Sequence, residues 1–559
     1  MITTKAQFES FKACIANGDF QVTNIIENTE GYEVRLSDGS IVDLPMNCKA
    51  WVDGVNRTLI DDIIYGKNKL NNIVNISYKE DNVHIFQEFK DEIKETIVPF
   101  KHYVLSPFKG QDTQKLIGDT NFRYIKEYPS EYDFHPVKPN VYKFKLFYIA
   151  HQAEAFMCKE GYTYFKGMKP SDPSILSFDI ETSGLNPKAK NAEVFIITNT
   201  FRKDNITIQK SFTKDQYKND TQMIEAWADW VREVNPSVVI GHNIIMFDIP
   251  YLESRVKHGL KLGRDDSVLT TEQRPREFRK DGSQSYSYNR KFIFGREIID
   301  TFFVAIKYDI GRKYESYGLK SLIREEGLEK TDRTFIDASK ISEYWKNEEM
   351  KALVIKYATE DSDDALKLYD LMISATFYFS QMIPKPFQLM TESATGSQLN
   401  SLMIRSYLQK GFSIPKADDA EGFEGAISNG FSGIYKNAIR FDVASLYPSI
   451  MVQYQIENTD KDFNGNFQKI VKYLRTERLT NKKLAKETGD RYYDDIQNTQ
   501  KTAINSLYGF LGASGLNFNY PEGAASVTRY GREILKKAIK FLTNKEYEQH
   551  VEEKANHVV

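Results

Sequence analysis

The residues of this chain most able to do chemistry are carboxylates set in apolar company. Residues 176–182 read LSFDIET, which places Asp179 and Glu181 two apart on a buried strand, so both side chains leave the same face. Two carboxylates sharing a face repel each other unless a cation sits between them. A second element, GHNIIMFDIPYL over 241–252, follows the apolar strand Val238-Val239-Ile240 and sets Asp248 just beyond a strand end, where α/β folds gather their ligands. Asn243 in that element reads as a turn residue as readily as a contact, while Asp248, between Phe247 and Ile249, is a charge in apolar surroundings. A third element, MKALVIKYATEDSDDALKLYDL, puts Tyr357 and Asp361 at i and i+4 on one helix face, although Asp363 and Asp364 nearby also fit a plain acidic surface. Hard oxygen ligands of this kind suit Mg²⁺ or Mn²⁺. Zinc would call for a Cys/His cluster, and Cys14, Cys48 and Cys158 are widely spaced with no CxxC partner.

A second group of residues lies nearer the C-terminus. Residues 439–451 read IRFDVASLYPSIM, with Asp442 at the end of a strand expected over 438–443 and Pro448 suited to the first turn of the helix that follows. Residues 501–509 read KTAINSLYG, so Lys501, Asn505 and Tyr508 fall at i, i+4 and i+7 on one helix face, ahead of Gly509. That face offers a cation, an amide and a ring. Upstream, a helix near 468–487 carries Lys472, Arg475, Arg478, Lys482, Lys483 and Lys486, of which Arg475, Arg478, Lys482 and Lys486 share a face. A charged row of this sort is ordinarily a solvated helix surface.

Taken in order, the first three elements resemble the Exo I, Exo II and Exo III motifs of the DnaQ-like 3′→5′ exonucleases attached to DNA polymerases, and REIIDT (296–301) and YGLKSL (317–322) between them also match. The later strings resemble motif A (Ser445-Leu446-Tyr447-Pro448-Ser449), the Kx₃NSxYG pattern of motif B and the fingers spacing Arg478-x₃-Lys482 of family B DNA polymerases. The resemblance implies that Asp179, Glu181, Asp248 and Asp361 hold two divalent ions, Mg²⁺ or Mn²⁺, and that Tyr357 orients the attacking water. In-line phosphodiester hydrolysis needs both the attacking and the leaving oxygen stabilised, which explains paired hard cations. It implies equally that Asp442 binds the metals of a polymerase site, that Ser445, Leu446 and Tyr447 with Arg478, Lys482, Lys501 and Asn505 meet the incoming dNTP, and that Asn243, Phe247, Tyr508 and Gly509 contact DNA. Phe423-Glu-Gly425-Ala426 resembles the family's linker motif, with Phe where Tyr is usual.

These residues require particular elements to position them. Residues 1–150 alternate in polarity, and Tyr32, Val34 and Leu36 followed by Asp38-Gly39 and Ile41 predict a hairpin in a β-rich N-terminal domain without catalytic residues. After a linker at 169–173, an α/β exonuclease domain is expected over 171–375, with a further junction at Ile383-Pro384-Lys385-Pro386. An incomplete palm (384–465), helical fingers (466–515) and a palm helix (516–559) complete an α/β and α+β multidomain architecture. Asp281-Gly282 between polar, aromatic flanks predicts a further hairpin, placed where phage family B polymerases carry one that moves primer ends between sites.

With 559 residues, three or so domains are expected. The net charge of −2 means that any polyanion must meet a local basic stripe. The thiols read as reduced, no apolar run approaches membrane-spanning length, and a cytoplasmic protein is expected. One departure from the family matters. Motif C, an Asp-Thr-Asp, supplies the second metal-binding aspartate of a polymerase site, yet the last aspartate here is Asp495. The expectation is therefore an N-terminal polymerase chain of phage-like type acting on primer–template DNA and single-stranded 3′ ends. A C-terminal polymerase chain would bring motif C and the thumb, as in the split polymerases of some phages, although a truncated or interrupted reading frame fits the same sequence; a sliding clamp is a further candidate partner. The rival readings are a stand-alone exonuclease with a DNA-binding palm remnant and an inactive DNA-binding scaffold.

Overall fold

A computed structural model describes residues 2–280, 284–430, 433, 434, 436, 441–443 and 445–556. Its organising element is a five-stranded mixed sheet. β1 (Ile175–Thr182), β2 (Val194–Lys203), β3 (Ile206–Thr213), β4 (Val238–Gly241) and β5 (Glu297–Asp300) stand in the order β3-β2-β1-β4-β5. β1 pairs antiparallel with β2 and parallel with β4, and β4 pairs parallel with β5. The apolar runs predicted as strands at 175–180 and 238–240, and with them Ile298-Ile299 of β5, are buried on both faces, as parallel strands should be: Ile175, Leu176, Val238, Ile240, Ile298 and Ile299 are all fully enclosed.

The register of this sheet fixes the site. Ser177 is the last residue of β1 paired with β4, opposite Ile240, so Asp179 and Glu181 run on past the end of β4. Gly241 pairs with Asp300 at the same edge. The loop after β4 leads into α1 (Asp248–Arg255), and α2 (Glu348–Met372), capped by the Asn347 side chain, crosses the sheet. Hydroxyls of the sheet anchor α2: Ser177 Oγ donates to the Ser362 carbonyl at 2.6 Å, and Thr198 Oγ1 to the Ala358 carbonyl at 2.8 Å. Both bonds flank Asp361 along the helix.

The N-terminal part carries three three-stranded antiparallel sheets and two long helices, Lys5–Asn17 and Lys49–Tyr65. The predicted hairpin is present, with Gly31–Leu36 paired to Ile41–Pro45. The C-terminal half is helical: α3 (Thr395–Leu408), α4 (Leu446–Gln453), α5 (Asn466–Thr488), α6 (Arg491–Gly512) and α7 (Pro521–Thr543). The strand expected over 438–443 is not seen in its described part. Phe441, Asp442 and Val443 are exposed and irregular, without a paired neighbour to supply the ladder, and 438–440 lie outside the described residues. The second hairpin forms, Arg276–Arg279 against Ser285–Tyr288, although its Asp281-Gly282 turn lies outside the described residues.

One hydrophobic cluster runs from Ile63 in the N-terminal part through the mixed sheet to Val527 in α7. The segment read as a junction at 383–386 belongs to that core. Ile383 and Phe387 are fully buried, and Lys385 is buried with its ammonium paired to Glu154. The hairpin Gly31–Leu36/Ile41–Pro45 packs into a separate small cluster around Val34 and Val52. Among the described residues no helix is long and apolar enough to cross a membrane.

Candidate active site and nucleic-acid-binding face

The carboxylates singled out by their spacing meet at the edge of the mixed sheet. Asp179, Glu181 and Asp361 bring oxygens within 4.8 Å of one another. Among the described residues no other group of three or more His, Cys, Asp or Glu side chains gathers in this way. Asp248 stands just outside the trio. Its Oδ1 accepts the Ile180 N–H at 3.2 Å, which seats it against the backbone between the first two carboxylates.

The loop carrying Asp248 is hung from Asp300. That carboxylate accepts the N–H groups of Asn243 (2.7 Å), Ile245 (3.0 Å) and Phe302 (3.0 Å) and is itself fully buried. Asn243 adopts a left-handed backbone, φ 69°, which asparagine tolerates better than most residues. Gly241 must lack a side chain, because a Cβ there would stand 2.6 Å from the Phe178 carbonyl oxygen. Phe247 is half-buried, with its ring against Tyr251.

The electrostatics report the crowding. Burial, then the charges of Asp248 and Asp361, push the Asp179 carboxyl well above the usual carboxylate range. Burial and the Asp361 charge push Glu181 up to about 8. Burial and the Asp300 charge push Asp248 up to about 8, and burial raises Asp361 against the pull of Lys320 and Arg333. Clustered, partly desolvated carboxylates of this kind are relieved by a hard divalent cation, and the donor set fits one. Metal ions bound there would stabilise developing charge on the oxygens of a phosphodiester.

Two cations near the trio had no assigned role in the sequence reading. Lys320 Nζ lies 3.6 Å from Asp361 Oδ2 and 3.9 Å from the centre of the Tyr357 ring. It stands within the YGLKSL string, which was a usable signal. Arg333 pairs with Glu360 (2.7 Å), Asp364 (3.0 Å) and Asp361, all on α2. Nothing in its surrounding sequence, EKTDRTFID, marks it. Tyr357 is buried on the same face of α2, with both cations over its ring.

The second group of residues lines a helical face. Ser445 (φ 53°) turns the chain into α4, and Arg478 of α5 donates from Nη1 to Ser445 Oγ at 2.6 Å. The Tyr447 and Tyr508 rings approach to 4.7 Å. Lys501, Asn505 and Gly509 are exposed along α6, while Ala503, Ile504, Leu507 and Phe510 turn inward. Arg475, Lys482 and Lys486 are exposed on α5. Asp442 is exposed three residues before the Ser445 turn. The linker motif is held by α7, where Arg532 Nη1 donates to the carbonyls of Glu424 (2.8 Å) and Gly425 (2.6 Å).

The whole arrangement superimposes on a family B DNA polymerase from the hyperthermophilic archaeon Pyrobaculum calidifontis with a TM-score of 0.65. The match covers 84% of this chain and 71% of that one at 18% identity, and it defines the fold. Two family models of DNA polymerase family B match the chain, that of the exonuclease domain over residues 149–322 and that of the polymerase over 458–558. Relatives include a DNA polymerase from Archaeoglobus fulgidus, 26% identical over 66% of this chain and 47% of that protein. The DNA polymerase delta catalytic subunit of Glycine max is 28% identical over 68% of this chain and 40% of that protein, and that of Caenorhabditis elegans 26% over 57% and 33%. The chain thus spans between a third and a half of the length of these relatives.

Proposed function

We propose that this chain is a DNA polymerase chain of DNA replication whose sheet-edge carboxylates trim primer 3′ ends. Its helical half supplies part of the nucleotide-addition site. The observation that carries the trimming activity is the convergence of Asp179, Glu181 and Asp361 within 4.8 Å, with Asp248 seated beside them by the Ile180 N–H. Those residues hold the divalent ions, Mg²⁺ or Mn²⁺. Tyr357, fixed on α2 four residues before Asp361, directs water toward the scissile phosphodiester, and Asn243 and Phe247 on the Asp300-hung loop receive the unpaired 3′ end.

In the helical half, Ser445, Leu446 and Tyr447 at the start of α4 receive the dNTP together with Arg478, Lys482, Lys501 and Asn505, while Tyr508 and Gly509 lie against the nascent pair. Oriented N–H groups at a helix start and cations on two neighbouring helices are suited to a triphosphate. The Arg478–Ser445 hydrogen bond supports this reading over a stand-alone exonuclease, because it ties the basic helix to the motif A turn. Asp442 needs a second carboxylate to hold paired metals. In our reading a C-terminal partner chain brings that carboxylate and the thumb, as in a split phage-like polymerase.

The test uses a 5′-labelled primer–template and Mg²⁺, with and without dNTPs, beside Asp179→Ala/Glu181→Ala. The wild type is expected to shorten the primer from its 3′ end, and the double variant to lose about three orders of magnitude in rate, as removal of charge stabilisation worth several kcal/mol implies. Extension is expected only when a chain carrying Asp-Thr-Asp is added. A wild type that leaves the primer intact sinks the exonuclease reading, and extension by this chain alone sinks the partner.

A further inference from the structure

We propose that Arg333 is a positioning residue that decides how Asp361 is used, holding Oδ1 permanently and leaving Oδ2 as the oxygen offered to a divalent cation. The proposal rests on the exonuclease reading given above. Its basis is a single guanidinium, 3% exposed, that spreads over three carboxylates of one stretch of α2. Nη1 meets Glu360 Oε2 at 2.7 Å, Nη2 meets Asp361 Oδ1, and Nε stands 3.0 Å from Asp364 Oδ2. Residues i, i+1 and i+4 of a helix would otherwise set three negative charges against one another. The loop that carries Arg333 is fixed at a second point, since the Thr334 N–H donates to Glu360 Oε2 at 2.8 Å.

Lys320 behaves differently. It is 38% exposed, reaches the other oxygen of Asp361, and stays at 3.6 Å. A divalent cation taken up by Asp179, Glu181 and Asp361 Oδ2 therefore competes with Lys320 and leaves the Arg333 contact intact. Arg333 is suited to a permanent role because its planar fork presents several N–H groups in fixed directions, which a lysine cannot do. The arrangement makes Asp361 a one-oxygen ligand with a set orientation.

Two roles for Arg333 predict different outcomes for the charge-conserving Arg333→Lys. A residue that merely adds positive charge leaves metal binding unchanged when lysine replaces it. A residue that aims a ligand raises affinity, and loss of such an outer partner weakens metal binding by about 10–100-fold. The experiment is calorimetric titration of the full chain with Mn²⁺, taking the component lost in Asp179→Ala as the exonuclease site. It compares wild type, Arg333→Lys, and the triple variant Arg333→Met/Glu360→Gln/Asp364→Asn, which removes the clamp without stranding two buried carboxylates. Thermal melting checks that each variant folds.

Folded variants are expected to bind Mn²⁺ about 10–100-fold more weakly, with charge-conserving Arg333→Lys affected as the triple variant is. The Mn²⁺ concentration for half-maximal trimming of a labelled single strand should rise by the same factor, and the rate at saturating Mn²⁺ should fall less. Either folded variant binding as tightly as wild type, or more tightly, overturns the proposal. Unfolding of both variants overturns it too, by making Arg333 a folding residue. A wild-type isotherm left unchanged by Asp179→Ala would instead overturn the exonuclease reading itself.

Discussion

Asp300 shows how much one side chain can organise without taking part in chemistry. Its carboxylate satisfies three backbone N–H groups, and no other described contact holds the 243–247 loop so directly to the sheet. Replacing it by Ala strands buried donors at a cost of about 3 kcal/mol, read as a shift in urea midpoint. On the proposed function, in which Asn243 and Phe247 of that loop receive the 3′ end, the same variant should weaken binding of a single strand. His151 offers a pH-dependent counterpart. Burial pushes its imidazole down to about 4, and its Nδ1 has no hydrogen-bond partner. The unfolded chain, near the ordinary value of 6.5, binds more protons between these limits. Stability from the neutral ring is therefore present above pH 6.5 and lost as pH falls toward 4. Wild type minus His151→Gln should show this as a difference of up to about 3 kcal/mol across that window, measured by urea denaturation at each pH. At this scale the sequence was most legible where spacing forces a juxtaposition: the Asp179/Glu181 pair on one strand face, and Tyr357 with Asp361 on one helix face. Arg333 was not legible, because its partners lie 27 to 31 residues away on α2 and no local pattern records that contact.

The elements were legible to the degree that their periodicity was strong. The buried strands β1 and β4, the hairpin at 31–45 and the helix bearing the KTAINSLYG string all formed, with α6 running over Arg491–Gly512. The strand expected at 438–443 failed in its described part because an apolar run specifies a strand only when a neighbour completes its ladder. The contact between the helix Lys49–Tyr65 and α3 could not be read either, since it depends on chain ends brought together from opposite halves. Arg405 of α3 donates to the carbonyls of Ile63 (2.9 Å) and Ile64 (2.7 Å), capping that helix. Gly66 follows at φ 80°, where a Cβ would meet the Gly161 carbonyl oxygen at 2.2 Å. Gly66→Ala should destabilise the chain by about 2 kcal/mol or more through this collision and the left-handed backbone, and calorimetry should show a lowered melting temperature.

For the molecule as a whole, the continuous core makes the strongest prediction. Because one cluster joins the N-terminal strands, the mixed sheet and the helical half, these parts should unfold in a single transition. The hairpin around Val34 and Val52 packs separately and should exchange its amide hydrogens at a lower opening free energy, visible by hydrogen exchange with mass spectrometry. Separately melting exonuclease and helical parts in a calorimetric scan would contradict this. The sequence announced domains by their motifs but could not announce the shared core, since burial of Ile383, Phe387 and Lys385 at an apparent junction is decided by what packs from elsewhere.

That shared core bears on inheritance. Recombination or engineering can exchange a module cleanly when its boundary crosses few contacts, and the boundary near residue 383 crosses a filled interior. A crossover there would join halves whose buried surfaces had not been selected together. On the proposed function, the sheet-edge site and the helical half would therefore pass between lineages as one block, and a grafted sheet domain would need its neighbour's side chains carried along with it.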